Sequence, residues 1–277
     1  IVAINTDIPT TTLVGAYVSK GTNLSLGSSG DLPSVAGGIY MVTAQTTAIP
    51  ATTVTATIYE AKNVLGTNAG VTPIGGAGST NVYWIDAAIA PEDAPVGLTF
   101  GLQGGVISPD DLANGTQTAD TKAFGAKVGA NIAGFSAKLA YSRVDGDTKA
   151  QVQARNLGTN NRTPLYTQMV TNQAAIGLDS NTIVVGAGFD AGSMGNFAVN
   201  YGMSEVGKDN GLVNNAGSDV DYNELDFVYK VKAGGVQYAA IVVYRDVEAG
   251  GSLSNTTTAS GTQNHDTLVR LWARYNF

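Results

Sequence analysis

No cysteine occurs in the 277 residues, which excludes a disulfide framework and any thiolate metal site. No run of about 18 apolar residues exists either, so no segment is built to cross a membrane as a helix. The opening, Ile1-Val-Ala-Ile-Asn-Thr6, lacks the basic start and apolar stretch of a secretory signal, although an exported chain would have lost one. Charge is scarce: 13% of residues are charged, against roughly 25% in an ordinary soluble domain. Basic residues are the scarcer sign, 15 Lys plus Arg against 22 Asp plus Glu for a net charge of -7. That balance argues against a nucleic-acid partner, which needs a basic face. The single histidine, His265, sits beside Asp266 in a polar stretch. With no Gly-x-Ser-x-Gly elbow and no P-loop, catalysis has no support.

What is abundant is glycine, 35 residues, together with an alternation of apolar and polar residues that recurs along the whole chain. Side chains on a strand point alternately to opposite faces. Residues 124–132 put Phe124, Ala126, Val128, Ala130 and Ile132 on one face and Gly125, Lys127, Gly129 and Asn131 on the other. Residues 135–141, 197–203 and 225–231 repeat the pattern. Thirteen strands are expected, near 1–6, 11–20, 38–49, 53–64, 81–91, 96–107, 121–132, 135–145, 181–191, 196–207, 222–233, 236–247 and 267–277. The second face is small and polar, whereas a soluble sandwich would put bulk inside and charge outside. Short turns alternate with long polar loops at 21–37, 65–80, 108–120, 146–180, 208–221 and 248–266, the pattern of outer-membrane barrels. Aromatics at strand ends, Tyr83, Trp84, Phe135, Tyr141, Tyr201, Tyr244, Tyr275 and Phe277, suit the two interfacial girdles. Low charge and a mean hydropathy of +0.04 agree with a surface facing lipid.

The expected fold is therefore all-β, a transmembrane antiparallel up-and-down β-barrel, with residues 1–277 one domain in the bacterial outer membrane. A soluble sandwich or solenoid is the alternative that alternation alone leaves open. If the last strand, Thr267 to Phe277, ends on the periplasmic side, counting back makes the first strand run inward. Barrels have an even strand count and begin from the periplasm, so either an N-terminal segment is missing or a partner chain closes the sheet; a missing segment with an odd number of strands is the favoured expectation.

The stretch Asp7-Ile-Pro-Thr-Thr-Thr-Leu-Val-Gly-Ala-Tyr-Val18 and the ending Val269-Arg-Leu-Trp-Ala-Arg-Tyr-Asn-Phe277 resemble segments in the C-terminal two-thirds of Campylobacter-type major outer membrane porins. The resemblance implies an 18-stranded homotrimer, with these thirteen strands the sixth to the last. It further implies passive diffusion of small hydrophilic solutes and ions. The loop that folds into the pore of many porins would then lie in the absent part.

Alternation places Asp86, Lys127, Lys138, Glu224, Asp226, Lys230, Lys232, Arg245, Arg270 and Arg274 on the pore side. Lys230, Arg245, Arg270 and Arg274, on three neighbouring strands, form a candidate basic ladder that would draw anions. The alternative is a set of ion pairs with Glu224 and Asp226 that brace the wall. The net charge of -7 points the other way, to cation preference. No cofactor is required. Asp145-Gly-Asp147 and Asp219-Val-Asp221 through Glu224 and Asp226 are rich enough in oxygen for calcium, but neither matches an EF-hand loop and solvated loop charge explains both. A non-channel function, an adhesive or structural surface β-protein whose long loops bind a partner, is the competing class.

Overall fold

The computed structural model describes residues 1–20, 34–62, 79–111, 117–156, 162–210, 219–247 and 265–275. Thirteen strands form: β1 (Val2–Asn5), β2 (Thr11–Lys20), β3 (Ser34–Thr46), β4 (Thr52–Lys62), β5 (Ser79–Ile89), β6 (Thr99–Pro109), β7 (Thr121–Ile132), β8 (Phe135–Val144), β9 (Ser180–Asp190), β10 (Asn196–Val206), β11 (Val220–Ala233), β12 (Val236–Val247) and β13 (His265–Tyr275). They make one antiparallel sheet in which every strand pairs with its sequence neighbour, from β1 at one edge to β13 at the other. The thirteen expected strands are all present. A sandwich would have split them between two sheets, so that alternative is set aside. Of the expected boundaries, residues 96–98 fall out of β6, because Pro95–Gly97 forms a tight helical turn with Val96 at φ 53. The last strand starts earlier, at His265, and Phe277 lies outside the described residues.

The short connections are built as their sequences demand. Ala133-Gly134 and Gly234-Gly235 join β7 to β8 and β11 to β12 with positive φ at both residues, the mirror-image turn whose twist matches a hairpin. At this end of the sheet Phe135, Phe189, Phe197 and Tyr229 are successive partners across β8 to β11. Phe135 stacks on Phe189 with ring centres 4.5 Å apart, and Phe197 on Tyr229 at 4.7 Å. An aromatic row thus forms where a girdle is expected. Trp84 does not belong to one: it points to the opposite face and packs against a buried cluster.

The two faces differ in kind. One exposes Phe124, Leu139, Ile183, Val185, Val199 and Phe227, an apolar surface that water would not favour. The other carries residues 145–156 and 162–179, the connection between β8 and β9. Leu165, Ala175 and Ile176 of this connection join Val82 of β5, Ile107 of β6, Val144 of β8, Val206 of β10 and Val247 of β12 in one buried cluster. The sheet must curl to allow this. Asp86 on β5 bonds Tyr166 and Glu224 on β11 bonds Thr171, so six consecutive loop residues reach strands six places apart, and one buried cluster runs from Val82 of β5 to Val247 of β12. A flat sheet would hold β5 and β11 about 29 Å apart. The loop-bearing face is therefore the concave one.

Two expectations are corrected here. Polarity and length make 146–180 an outside loop. In the structure the described residues of this connection fold inward over the sheet. Alternation makes the inner face small and polar, but its half nearest the long loops is apolar wherever the inward loop needs a partner. Val2, Ile4, Val14 and Val18 also share that face by register.

Glycines make the close approaches possible. A Cβ at Gly105 would strike the Trp84 ring and sit 2.6 Å from the Tyr83 carbonyl, whereas at Gly15 nothing lies within 4 Å. Gly105→Ala is expected to lose about 1–3 kcal/mol by overpacking. Gly15→Ala should be neutral or slightly stabilising, since a strand interior prefers Ala by about 0.5–1 kcal/mol. Urea unfolding of the two variants side by side checks the contrast.

Candidate functional site

The inward loop is shaped by its own side chains before it meets the wall. Asn172, almost fully buried, accepts the Met169 N–H at 2.8 Å and donates to the Thr167 carbonyl at 2.9 Å. Gln168 accepts the Thr163 N–H at 2.7 Å. These bonds fold 163–172 into a tight unit, and one helical turn, Gln173–Ile176, follows it. Asn210 donates to the carbonyls of Ala174, Ala175 and Leu178, tying the loop to the far end of β10.

The wall then holds the unit from both sides. On one side the Tyr166 hydroxyl donates to Asp86, and the Lys127 ammonium lies 4.1 Å from the centre of the Tyr166 ring, a cation–π contact. Burial first, and the Asp86 carboxylate second, push the Tyr166 phenol up, so it stays a donor throughout the ordinary pH range. In the middle Ser142 and Thr167 share a buried hydroxyl–hydroxyl bond. Gly202 leaves room for the Met169 sulfur, which a Cβ would strike. On the other side Glu224 accepts the N–H of Thr171 at 2.8 Å, and Asp226 accepts that of Val170 at 3.1 Å.

Nine residues of the expected pore side, Asp86, Lys127, Lys138, Glu224, Asp226, Lys230, Arg245, Arg270 and Arg274, share the loop-bearing face by register. Lys232 shares it too. The structure divides them by partner. Asp86, Glu224 and Asp226 are taken up by the loop, and Glu224 and Asp226 are 0% and 1% exposed. Arg245 leaves the expected ladder, because it forms a two-pronged pair with Asp266 of β13. Lys230, Arg270 and Arg274 make no ion pair among the described residues, so the bracing pairs with Glu224 and Asp226 do not form. Lys138 lies over Gly186, where a Cβ would sit 2.7 Å from its Cε, and Lys127 and Lys138 are both exposed.

The loop contributors Tyr166, Thr167, Met169, Val170 and Thr171 are not singled out by alternation, which carries no signal in a connection. The signal that is available is Pro164-Leu-Tyr-Thr-Gln-Met-Val170, an apolar stretch too greasy for a solvated loop. Of the acidic patches, Asp145 accepts the Lys122 N–H at 2.6 Å across the β7–β8 pair, and Asp147 accepts the Lys149 N–H at 2.9 Å in a local turn. Among the described residues no group of three or more histidine or acidic side chains is arranged to hold a metal ion.

Asp179, where the loop re-enters β9, has φ 43, and Cβ atoms at Gly146 or Gly207 would strike its carboxyl. Burial, with Asp209 and Asp219 adding to it against the Asp209 N–H, raises its pKa. The folded state thus binds the proton more tightly than the unfolded chain. Its ionisation therefore costs stability as pH rises from the acid range through the folded pKa. Asp179→Asn should remove that decline, and asparagine suits a left-handed φ; urea midpoints at acid and neutral pH, compared with the parent, check it. Tyr166→Phe should lose about 1.5 kcal/mol of loop stability, the low end for a hydrogen bond to a charged group. Amide-exchange protection across 163–172 measures that loss.

No family model matches the chain, and no curated protein matches it. Solved structures do. OccK3 (OpdO) of Pseudomonas aeruginosa aligns with TM-score 0.66 at 15% identity, over 99% of this chain and 68% of its own. The outer membrane protein OprD from Pseudomonas aeruginosa gives 0.63 at 10% identity, over 99% and 67%. OccAB1 of Acinetobacter baumannii gives 0.69 at 11% identity, over 99% and 67%. The chain is thus similar in fold, across about two thirds of their length, to the outer membrane protein OprD and to OccK3 and OccAB1.

Proposed function

We propose that this chain forms the larger part of an outer-membrane diffusion channel for small hydrophilic solutes and ions, with no enzymatic activity. The observation that carries the reading is the inward loop, pinned across the concave face from β5 to β11 and opposed on the other face by an apolar surface fit for lipid. A loop held in that way narrows a passage without sealing it. The open edges of β1 and β13, together with coverage of two thirds of OprD and OccK3, support a wall completed by further strands. The finer reading, a Campylobacter-type trimeric general porin, rests on Asp7–Val18 and Val269–Phe277; chemical cross-linking of the membrane-extracted protein tests the trimer.

The charges left free favour anions at the narrow part. Asp86, Glu224 and Asp226 are consumed by the loop, and Asp266 by Arg245, while Lys127 and Lys138 face the passage beside the loop; Lys230, Arg270 and Arg274, with Asp190, lie on the same face toward the short-turn end. Wall charge near a constriction outweighs charge far from it, because ions and counter-ions screen beyond about 10 Å in ordinary salt. The net charge of -7 therefore does not set the selectivity.

Planar-bilayer recording of the full-length protein tests the channel: discrete ohmic steps are expected, and their absence would sink the reading in favour of an adhesive or structural role. In a salt gradient, replacing Arg270 and Arg274 together by Ala should move the reversal potential toward cations. An unchanged potential rejects the assignment of those two residues.

A further inference from the structure

Glu224 and Asp226 stand two residues apart on one face of β11, both sealed under the loop. Their hydrogen bonds are unequal. Glu224 receives three donors: the Thr171 N–H at 2.8 Å, the Thr171 hydroxyl at 2.5 Å and the Tyr222 hydroxyl at 2.7 Å. Asp226 receives only the Val170 N–H, on Oδ2, and its Oδ1 is buried with no hydrogen-bond partner when both groups are counted as carboxylates. The two carboxyls occupy successive same-facing positions of β11, 0% and 1% exposed, so they are near neighbours in one water-excluded site. A proton on Asp226 Oδ1 would turn that orphaned acceptor into a donor toward the neighbouring carboxylate.

The surrounding charges do not replace that proton. Lys138 of β8 faces Asp226, and Lys127 of β7 faces Lys138. Arg245 of β12 faces Glu224 and Tyr222 but is engaged in both prongs by Asp266 of β13. Neither lysine nor arginine comes within 4.0 Å of Glu224 or Asp226 among the described residues. The facing residues of β9 and β10, Gly186, Asn200 and Gly202, carry no charge. In the loop unit, Tyr166 is the one titratable group near the site, and it is bonded to Asp86.

We infer that Asp226 and Glu224 share a single proton, carried on Asp226 Oδ1, and that this proton is what keeps the inward loop latched to β11. With the proton bound, Asp226 donates to Glu224, every buried oxygen has a partner, and both carboxyls are free to accept loop amides. When it leaves, two like charges share a water-excluded site. One carboxylate must turn away, and its loop amide loses its acceptor. The latch therefore holds at low pH and loosens as pH rises. In the channel proposed above, on which this consequence rests, alkaline conditions would let the loop move in the passage.

Hydrogen–deuterium exchange on the intact, detergent-solubilised protein tests the latch without requiring conductance. After correction for intrinsic exchange, protection of residues 167–172 should fall about tenfold between roughly pD 5 and pD 9, the size expected for losing one hydrogen bond to a charged group. Asp226→Asn keeps a donor toward Glu224 at every pH and should abolish the fall. Glu224→Gln removes one of the two charges and should do the same, so either variant suffices if the other does not fold. Protection that is flat with pD in the parent, or that falls equally in the variants, overturns the inference. In bilayers, closing events should become more frequent with rising pH in the parent and not in Asp226→Asn. A complete lack of conductance steps would count against the channel alone, and the exchange measurement would still decide whether the proton is shared.

Discussion

Buried backbone amides must find acceptors, and the architecture follows from the two ways this chain meets that demand. Along the wall each strand supplies the other's partners, from β1 to β13. In the inward loop no strand is at hand, so side chains stand in: Asn172 and Gln168 within the loop, Glu224 and Asp226 from the wall. Those two carboxylates sit where a pore lining would ordinarily show its charge. Their use as surrogate backbone fixes residues 163–172 to the wall.

That use also sorts the charges. A cluster that reads as mixed in the sequence becomes strongly polarised once the loop is seated, because acids are covered and bases are not. The apolar patch at the loop end of the concave face has the same origin. Leu165 and Ile176 cannot be left in water, so Val82, Val206 and Val247 meet them, and the polar lining begins only beyond that contact.

Strand number, order, turns and facing are legible in the sequence because period two and turn chemistry are local properties. Lys127 and Arg270 can be assigned to a face from their neighbours alone. The fate of Glu224, Asp226 and Arg245 is not legible, since it depends on Val170, Thr171 and Asp266, brought in by folds of the chain that alternation does not describe. Trp84 departs from its expected girdle for a related reason. An aromatic near a strand end suits a girdle or a buried contact equally well, and its neighbour across the sheet, Gly105, decides between them.

The sheet and the loop close over very different lengths of chain. Hairpins such as Ala133-Gly134 join partners a few residues apart, while Tyr166 and Asp86 are separated by 80 residues and Thr171 and Glu224 by 53. Closing a longer loop carries a larger entropic cost, and non-local contacts form slowly. The loop's anchors to the wall are thus the high-separation contacts, and the hairpins of the wall can pair without them. The two tryptophans are placed to tell loop seating from hairpin pairing: Trp84 packs against the cluster that the loop completes, whereas Trp272 stands on the last strand, 37% exposed.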